Sequence, residues 1–208
     1  MFLRRLRTSA AVRRGATDGA VLAAVRAELA LELSSSAPPP FRSELAPDFD
    51  TVSDAPRAQD VLLRRRDGSE EVLVSALLAP LRFVGRDPLP RAALVKVFVS
   101  KPGAAPVLHF DCRASWVGEE ERGGGAADYA INAVRYHSSP GAGGADEYEG
   151  PAFRDLDPRL QAALREYLVA RGFNSKLASS ILQHLLQKER NQYVNWLKTL
   201  EEAFAKHH

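Results

Sequence analysis

AALVKVFVSKPGAAPVLHFDCRASW, residues 92–116, decides the fold. Val95, Val97 and Val99 fall on one side of an extended chain, and Leu94, Lys96 and Phe98 fall on the other. That is the two-residue period of a β-strand. Pro102-Gly103 turns the chain, and residues 106–116 return as a second strand. The same logic extends outward in both directions. Val61–Arg66 and Glu70–Leu78 flank Asp67-Gly68, a pair that readily takes the positive φ of a primed turn, so they read as another hairpin. Tyr129–His137 is a further strand, and the loop after it has room for one short strand near Tyr148. Consecutive strands joined by short turns predict an antiparallel meander.

Helices bracket the sheet. Residues 18–33 place Leu22, Val25, Leu29 and Leu33 near one helical face, with Asp18 or Thr17 as the cap. SSSAPPP (34–40) ends that helix as a stiff extended connector. Residues 41–58 have little periodicity and read as an irregular surface stretch. After the sheet, Asp157 caps a helix that opens on Pro158 and carries Leu160, Leu164, Tyr167 and Leu168 on one face. Gly172 ends it, with Phe173 folding back on Leu168. Asn174 caps a last helix over 175 to about 205 with no internal proline or glycine. Helix, antiparallel sheet and two helices make an α+β domain.

Charge is distributed unevenly. Net charge is +2, from 28 basic and 26 acidic residues. Residues 1–17 hold five arginines (Arg4, Arg5, Arg7, Arg13, Arg14) and no acid, which leaves 23 basic and 26 acidic residues in 18–208, a net of −3. The basic pI therefore belongs to the arm, which argues against a general nucleic-acid-binding body. Arginine-rich and acid-free, with Phe2, Leu3 and Leu6 set among the arginines, residues 1–17 have the composition of a mitochondrial targeting segment, followed by a single domain over 18–208. No run of about eighteen apolar residues predicts a membrane-spanning helix. One cysteine, Cys112, excludes an intramolecular disulfide framework and suits a reducing compartment.

Few residues suggest chemistry. His109, Asp111 and Cys112 are possible metal ligands, but alternation puts His109 and Asp111 on one side and Cys112 on the other, and no CxxC or HxxxH partner exists. The expectation is no metal, no cofactor and no small-molecule substrate, with Cys112 a buried structural residue. The glycine-rich stretches 118–125 and 141–144 have neither a phosphate-loop nor a dinucleotide-loop context. Arg64-Arg65-Arg66 is split between faces and reads as strand-edge protection. No nucleophile elbow or Cys–His pair with an orienting acid appears, so no catalytic residue is expected. Glu119, Glu120, Glu121, Asp128, Asp146, Glu147 and Glu149 form a candidate acidic surface for basic partners. On the last helix, Tyr193, Trp196, Leu197, Leu200 and Phe204 form a stripe expected to serve the sheet and a neighbouring subunit.

Two segments also carry a resemblance. Residues 148–204, with Tyr148-Glu149-Gly150-Pro151, Leu156-Asp157, Leu160-Gln161, Tyr167-Leu168, Arg171-Gly172, Leu177-Ala178, Lys188-Glu189, Tyr193, Trp196-Leu197 and Leu200, resemble the carboxy-terminal signature of the mitochondrial glycoprotein family, especially its plant-type members. VKVFVSKPGAAPVLHFDC (95–112) resembles that family's central hairpin. The resemblance implies a strongly twisted antiparallel sheet of about seven strands, one helix before it and two after it, in a ring-shaped homotrimer. It also implies a non-enzymatic matrix protein that binds many partners, including RNA, and supports mitochondrial translation, ribosome assembly and oxidative phosphorylation. The body here is less acidic than the family pattern. The expected function is a multi-ligand, chaperone-like matrix scaffold whose partners are copies of itself, mitochondrial proteins such as ribosome assembly factors, and RNA. The alternative is a direct RNA-binding protein of mitochondrial RNA metabolism.

Overall fold

A computed structural model describes residues 7–34, 45–101, 104–117, 127–137 and 148–206. Side chains are described from residue 18 in the first helix and from residue 107 in the strand that opens at Ala104. Three α-helices and eight strands occur among these residues: α1 (Arg7–Ser34), β1 (Asp50–Ser53), β2 (Asp60–Asp67), β3 (Glu70–Leu78), β4 (Phe83–Val84), β5 (Asp87–Pro88), β6 (Ala92–Lys101), β7 (Ala104–Trp116), β8 (Ala127–His137), α2 (Pro158–Ala170) and α3 (Ser175–Ala205). The chain divides into two compact units, residues 41–188 and residues 1–40 with 189–208, so α3 contributes to both.

The larger unit is built on a six-stranded sheet in the order β1-β2-β3-β6-β7-β8, antiparallel at every junction. The expected pairings are present. Gly68 takes φ +57° in the Asp-Gly turn between β2 and β3. Val97 sits opposite Val74 on β3 and Phe110 on β7, so the alternating valines lie in register on one face. That face is dry: Val61, Leu63, Val72, Val74, Val95, Val97, Phe110 and Cys112 are buried together with Leu168, Phe173, Ile181, Leu182 and Leu185 from α2 and α3. Each such side chain contributes on the order of 1.5–3 kcal/mol by leaving water.

Short-range chemistry fixes where these helices begin and end. Asp157 Oδ1 accepts from the Arg159 amide at 2.8 Å, with Pro158 in the first position of α2. At its end Gly172 takes φ +86°, and the Phe173 amide donates to Leu168 O at 3.0 Å, which drops the Phe173 ring into the core. Asn174 Oδ1 then accepts from the Leu177 amide at 3.0 Å and starts α3.

In the smaller unit, Val25 and Leu29 of α1 bury against Leu197 of α3, with Val194 and Leu200 beside them. Arg26 Nε donates to Glu201 at 2.8 Å, Tyr193 Oη to Glu28 at 3.0 Å, and Arg190 Nη2 to Glu32 O at 2.6 Å. Rising numbers on α1 meet falling numbers on α3, so the two segments run antiparallel.

Four expectations need correction. Helix α1 starts at Arg7, so Asp18 and Thr17 lie inside it rather than capping it. Residues 41–58 are not wholly irregular: Ala46 and Phe49 are buried, and β1 pairs with β2 through Asp50↔Arg64. β1 pairs with β2 only as far as Arg64, so Arg64 does not lie on an open edge, while Arg65 and Arg66 lie past the end of that pairing. Tyr148 is exposed and lies in no strand.

Candidate functional site

Alternation along β6, β7 and β8 puts a polar cluster on the sheet face opposite the helices. Phe98 stacks on His109 at 4.4 Å between ring centroids, and His109 Nδ1 lies 3.1 Å from His137 Nε2. His109 Nε2 stands 3.3 Å from Asp111 Oδ1; Asp111 also pairs with Arg135, which reaches Glu149 at 3.1 Å. His109 is only 6% exposed. Burial first, then the positive charges of Lys96 and of the His137 and Arg135 side, hold its pKa down to about 4. The ring is neutral at neutral pH, and its Nδ1, hydrogen-bonded to His137 Nε2, joins β7 to β8.

His109 and Asp111 do share a side, as alternation requires. Cys112 faces the opposite core, where burial pushes its thiol up to about 12. Among the described residues no group of three or more His, Cys, Asp or Glu is placed to hold a metal.

A second cluster lies under α3. Asp54 Oδ1 accepts from Lys188 Nζ at 2.6 Å, and its Oδ2 stands 2.9 Å from His184 Nε2. A third ties β3 to α2. Glu70 pairs with Arg171 at 2.9 Å, and the Arg171 guanidinium lies 3.4 Å above the Tyr167 ring. The Arg171 hydrogen bond, ahead of the neighbouring charges, holds the Glu70 carboxyl below its ordinary range. All three clusters consume their charge internally. Their chemistry is that of fastening strands and helices, since each carboxylate already faces a cation.

The predicted surface residues separate. Glu119, Glu120, Glu121, Asp146 and Glu147 lie outside the described residues. Asp128 accepts from Ser175 Oγ at 2.7 Å and Glu149 pairs with Arg135, so these two are engaged within the chain. Of the α3 stripe, Leu197 is buried at 3% exposure, Leu200 packs beside it and Phe204 is half-buried. Trp196 is 55% exposed and stacks on Tyr193 at 5.9 Å. Those two rings, with Glu32, Glu189, Arg190 and Gln192, line an open cleft of about 480 Å³. Sequence reasoning missed Arg135 and His137: both lie on the His109 side by alternation, but only the β7–β8 register brings them to it.

Together these features define a class: an α+β protein with one twisted antiparallel sheet, a helical layer on one face and a charged, partly apolar surface on the other. The chain belongs to the mitochondrial glycoprotein family, whose model matches residues 88–204, more than half of its length. Over 56 residues it is 39% identical to the mitochondrial acidic protein mam33 of Schizosaccharomyces pombe; that stretch is 27% of this chain and spans about a fifth (21%) of the yeast protein. Its fold is similar to that of the p22 protein of Trypanosoma brucei, at TM-score 0.70 and 22% identity over 91% of this chain and 99% of that one. A Leishmania major protein described as a sequence homologue of human p32 gives TM-score 0.67 and 20% identity over 90% and 99%. The expected α+β class with a large antiparallel sheet holds. Six strands form the sheet among the described residues, with β4–β5 as a separate ribbon.

Proposed function

We propose that the chain is a non-enzymatic, homotrimeric scaffold of the mitochondrial matrix that captures partner proteins by surface charge and shape. In this role it supports translation, ribosome assembly and oxidative phosphorylation. The observation that carries this reading is the internal use of the chain's chemically capable side chains: His109, Asp111, His184, Lys188, Glu70 and Arg171 all hold strands and helices together. What faces outward instead is contact surface, above all the Trp196–Tyr193 pair. The arginine-rich arm and the family support the location.

Light scattering on the processed protein tests the assembly: a mass near three times that of one chain supports the scaffold, and a mass no greater than the 22.7 kDa of a single full chain rejects the trimer. Direct RNA binding is the second reading. Its support is Arg64, Arg65 and Arg66 beside a cleft of about 300 Å³ that also holds Asp48 and Asp50. Arg65 and Arg66 already pair with Asp67 and Glu71 at 3.3 and 3.0 Å, which weakens it. RNA retention by the protein lacking residues 1–17 that falls with salt would favour this second reading.

A further inference from the structure

Residues 81–90, LRFVGRDPLP, are ten consecutive exposed positions in the connection between β3 and β6. They form the β4–β5 ribbon, with Phe83 opposite Pro88 and Val84 opposite Asp87 around a Gly85-Arg86 turn. The Leu89 amide donates to Arg82 O at 2.8 Å and extends the pairing by one step. Leu81, Phe83, Val84 and Leu89 are exposed, Phe83 by 58% and Val84 by 64%. A lone two-stranded ribbon is marginal in water, and this one sets bulky apolar groups into solvent.

The pairing sorts these side chains by face. Phe83 and Pro88 share a side, and alternation adds Leu81 to it; Val84, Leu89, Arg82 and Asp87 take the other. One face is thus apolar, the other mixed, and Arg86 sits at the tip. Leu77 and Leu94, a cross-strand pair near the root, are exposed as well.

We propose that this ribbon is a shallow membrane finger that binds anionic phospholipid. Phe83, Leu81 and Pro88 enter the boundary between headgroups and acyl chains, while Arg82 and Arg86 meet phosphates at the rim. Charge complementarity selects this occupant, because the two arginines outnumber the one acid, Asp87, within 81–90. A lipid surface also tolerates the ribbon's backbone, because Pro80, Pro88 and Pro90 bring no N–H to bury. Those prolines oppose strand addition by a second copy.

The test is flotation of the full chain with vesicles of phosphatidylcholine alone or mixed equally with phosphatidylserine. Phe83→Ser with Val84→Ser should lower binding to the anionic vesicles by about 10-fold or more at an unchanged melting temperature. Arg82→Gln with Arg86→Gln should weaken binding at low salt, and high salt should erase that difference. The basic arm is present in every variant, so residual binding common to all belongs to it. Unchanged flotation of both variants, or no flotation of the parent, overturns the proposal. A smaller mass in light scattering for the serine variant with lipid binding intact also overturns it, and makes the ribbon a contact between copies.

Discussion

Lys188 Nζ stands 2.6 Å from Asp54 Oδ1 across 134 positions of sequence and donates a second bond of 2.7 Å to Asp60 O. Lys188 is 8% exposed, so its ammonium has exchanged water for these two acceptors. Asp54→Ala leaves that charge buried with half its partners and also unpairs His184, and should cost about 3 kcal/mol. Lys188→Met keeps the packed stem and leaves Asp54 beside His184, and should cost only about 1–2 kcal/mol. Urea unfolding of both variants checks the order; equal costs would show that stranding the Lys188 charge adds nothing to the loss of the pair.

Two neighbours on α3 should separate packing from surface. Leu197 is buried against Val25 and Leu29, and Leu197→Ala should cost about 2–4 kcal/mol. Trp196, mostly exposed, should lose no more than about 1 kcal/mol of thermal stability on Trp196→Ala. If the stripe is an interface between copies, that same variant should reduce the mass seen by light scattering. A loss of stability as large as that of Leu197→Ala would place Trp196 in the core.

His109 gives the fold a pH dependence. In the folded chain its pKa is about 4, against 6.5 for a free imidazole, and Asp111, His137, Arg135 and Lys96 surround it. The unfolded chain therefore takes up the proton first as pH falls. Stability from this group is complete above about pH 6.5, declines as pH drops and is spent below about 4. His109→Gln should flatten the urea midpoint over that window by about one proton's worth of slope. An identical slope in the variant would assign the titration elsewhere.

Gly172 should tolerate no side chain. Its φ of +86° is unfavourable for an L-residue, and an added Cβ would stand 2.6 Å from Arg65 Nη1 and 3.1 Å from Phe49 Cε2. Gly172→Ala should destabilise by about 2 kcal/mol or more in thermal unfolding.

What was legible in the sequence was local. Asp67-Gly68, the valines at 95, 97 and 99, Asp157-Pro158 and Asn174 each state their role within a few residues, and the elements they predict are present. The misses share a cause. Asp50–Ser53 is an exposed edge strand with no inward face, so it shows no alternation. Phe83-Val84 and Asp87-Pro88 are too short to display a period. Asp18 resembles a cap, but the backbone continues helical back to Arg7, because capping preference is a weak force against a turn already formed. At the clusters, His109 and Asp111 could be placed on one side from parity alone. His137 and Arg135 could not, since the register of β7 on β8 is a tertiary fact, shifted further by the irregularity at Asp111/Cys112.

The antiparallel meeting of α1 with the end of α3 has a consequence for how the chain is made. Synthesis proceeds from the amino terminus, so Val25 and Leu29 emerge before the sheet, and their partner Leu197 only after it. The β-meander can close step by step as each strand appears, with short loops and little entropy to overcome. Helix α1 must wait, its apolar stripe uncovered, until some 170 further residues have followed. Helix α1 is thus made before the sheet and satisfied after it, and a nascent chain stopped anywhere before Leu197 presents that stripe to whatever attends it.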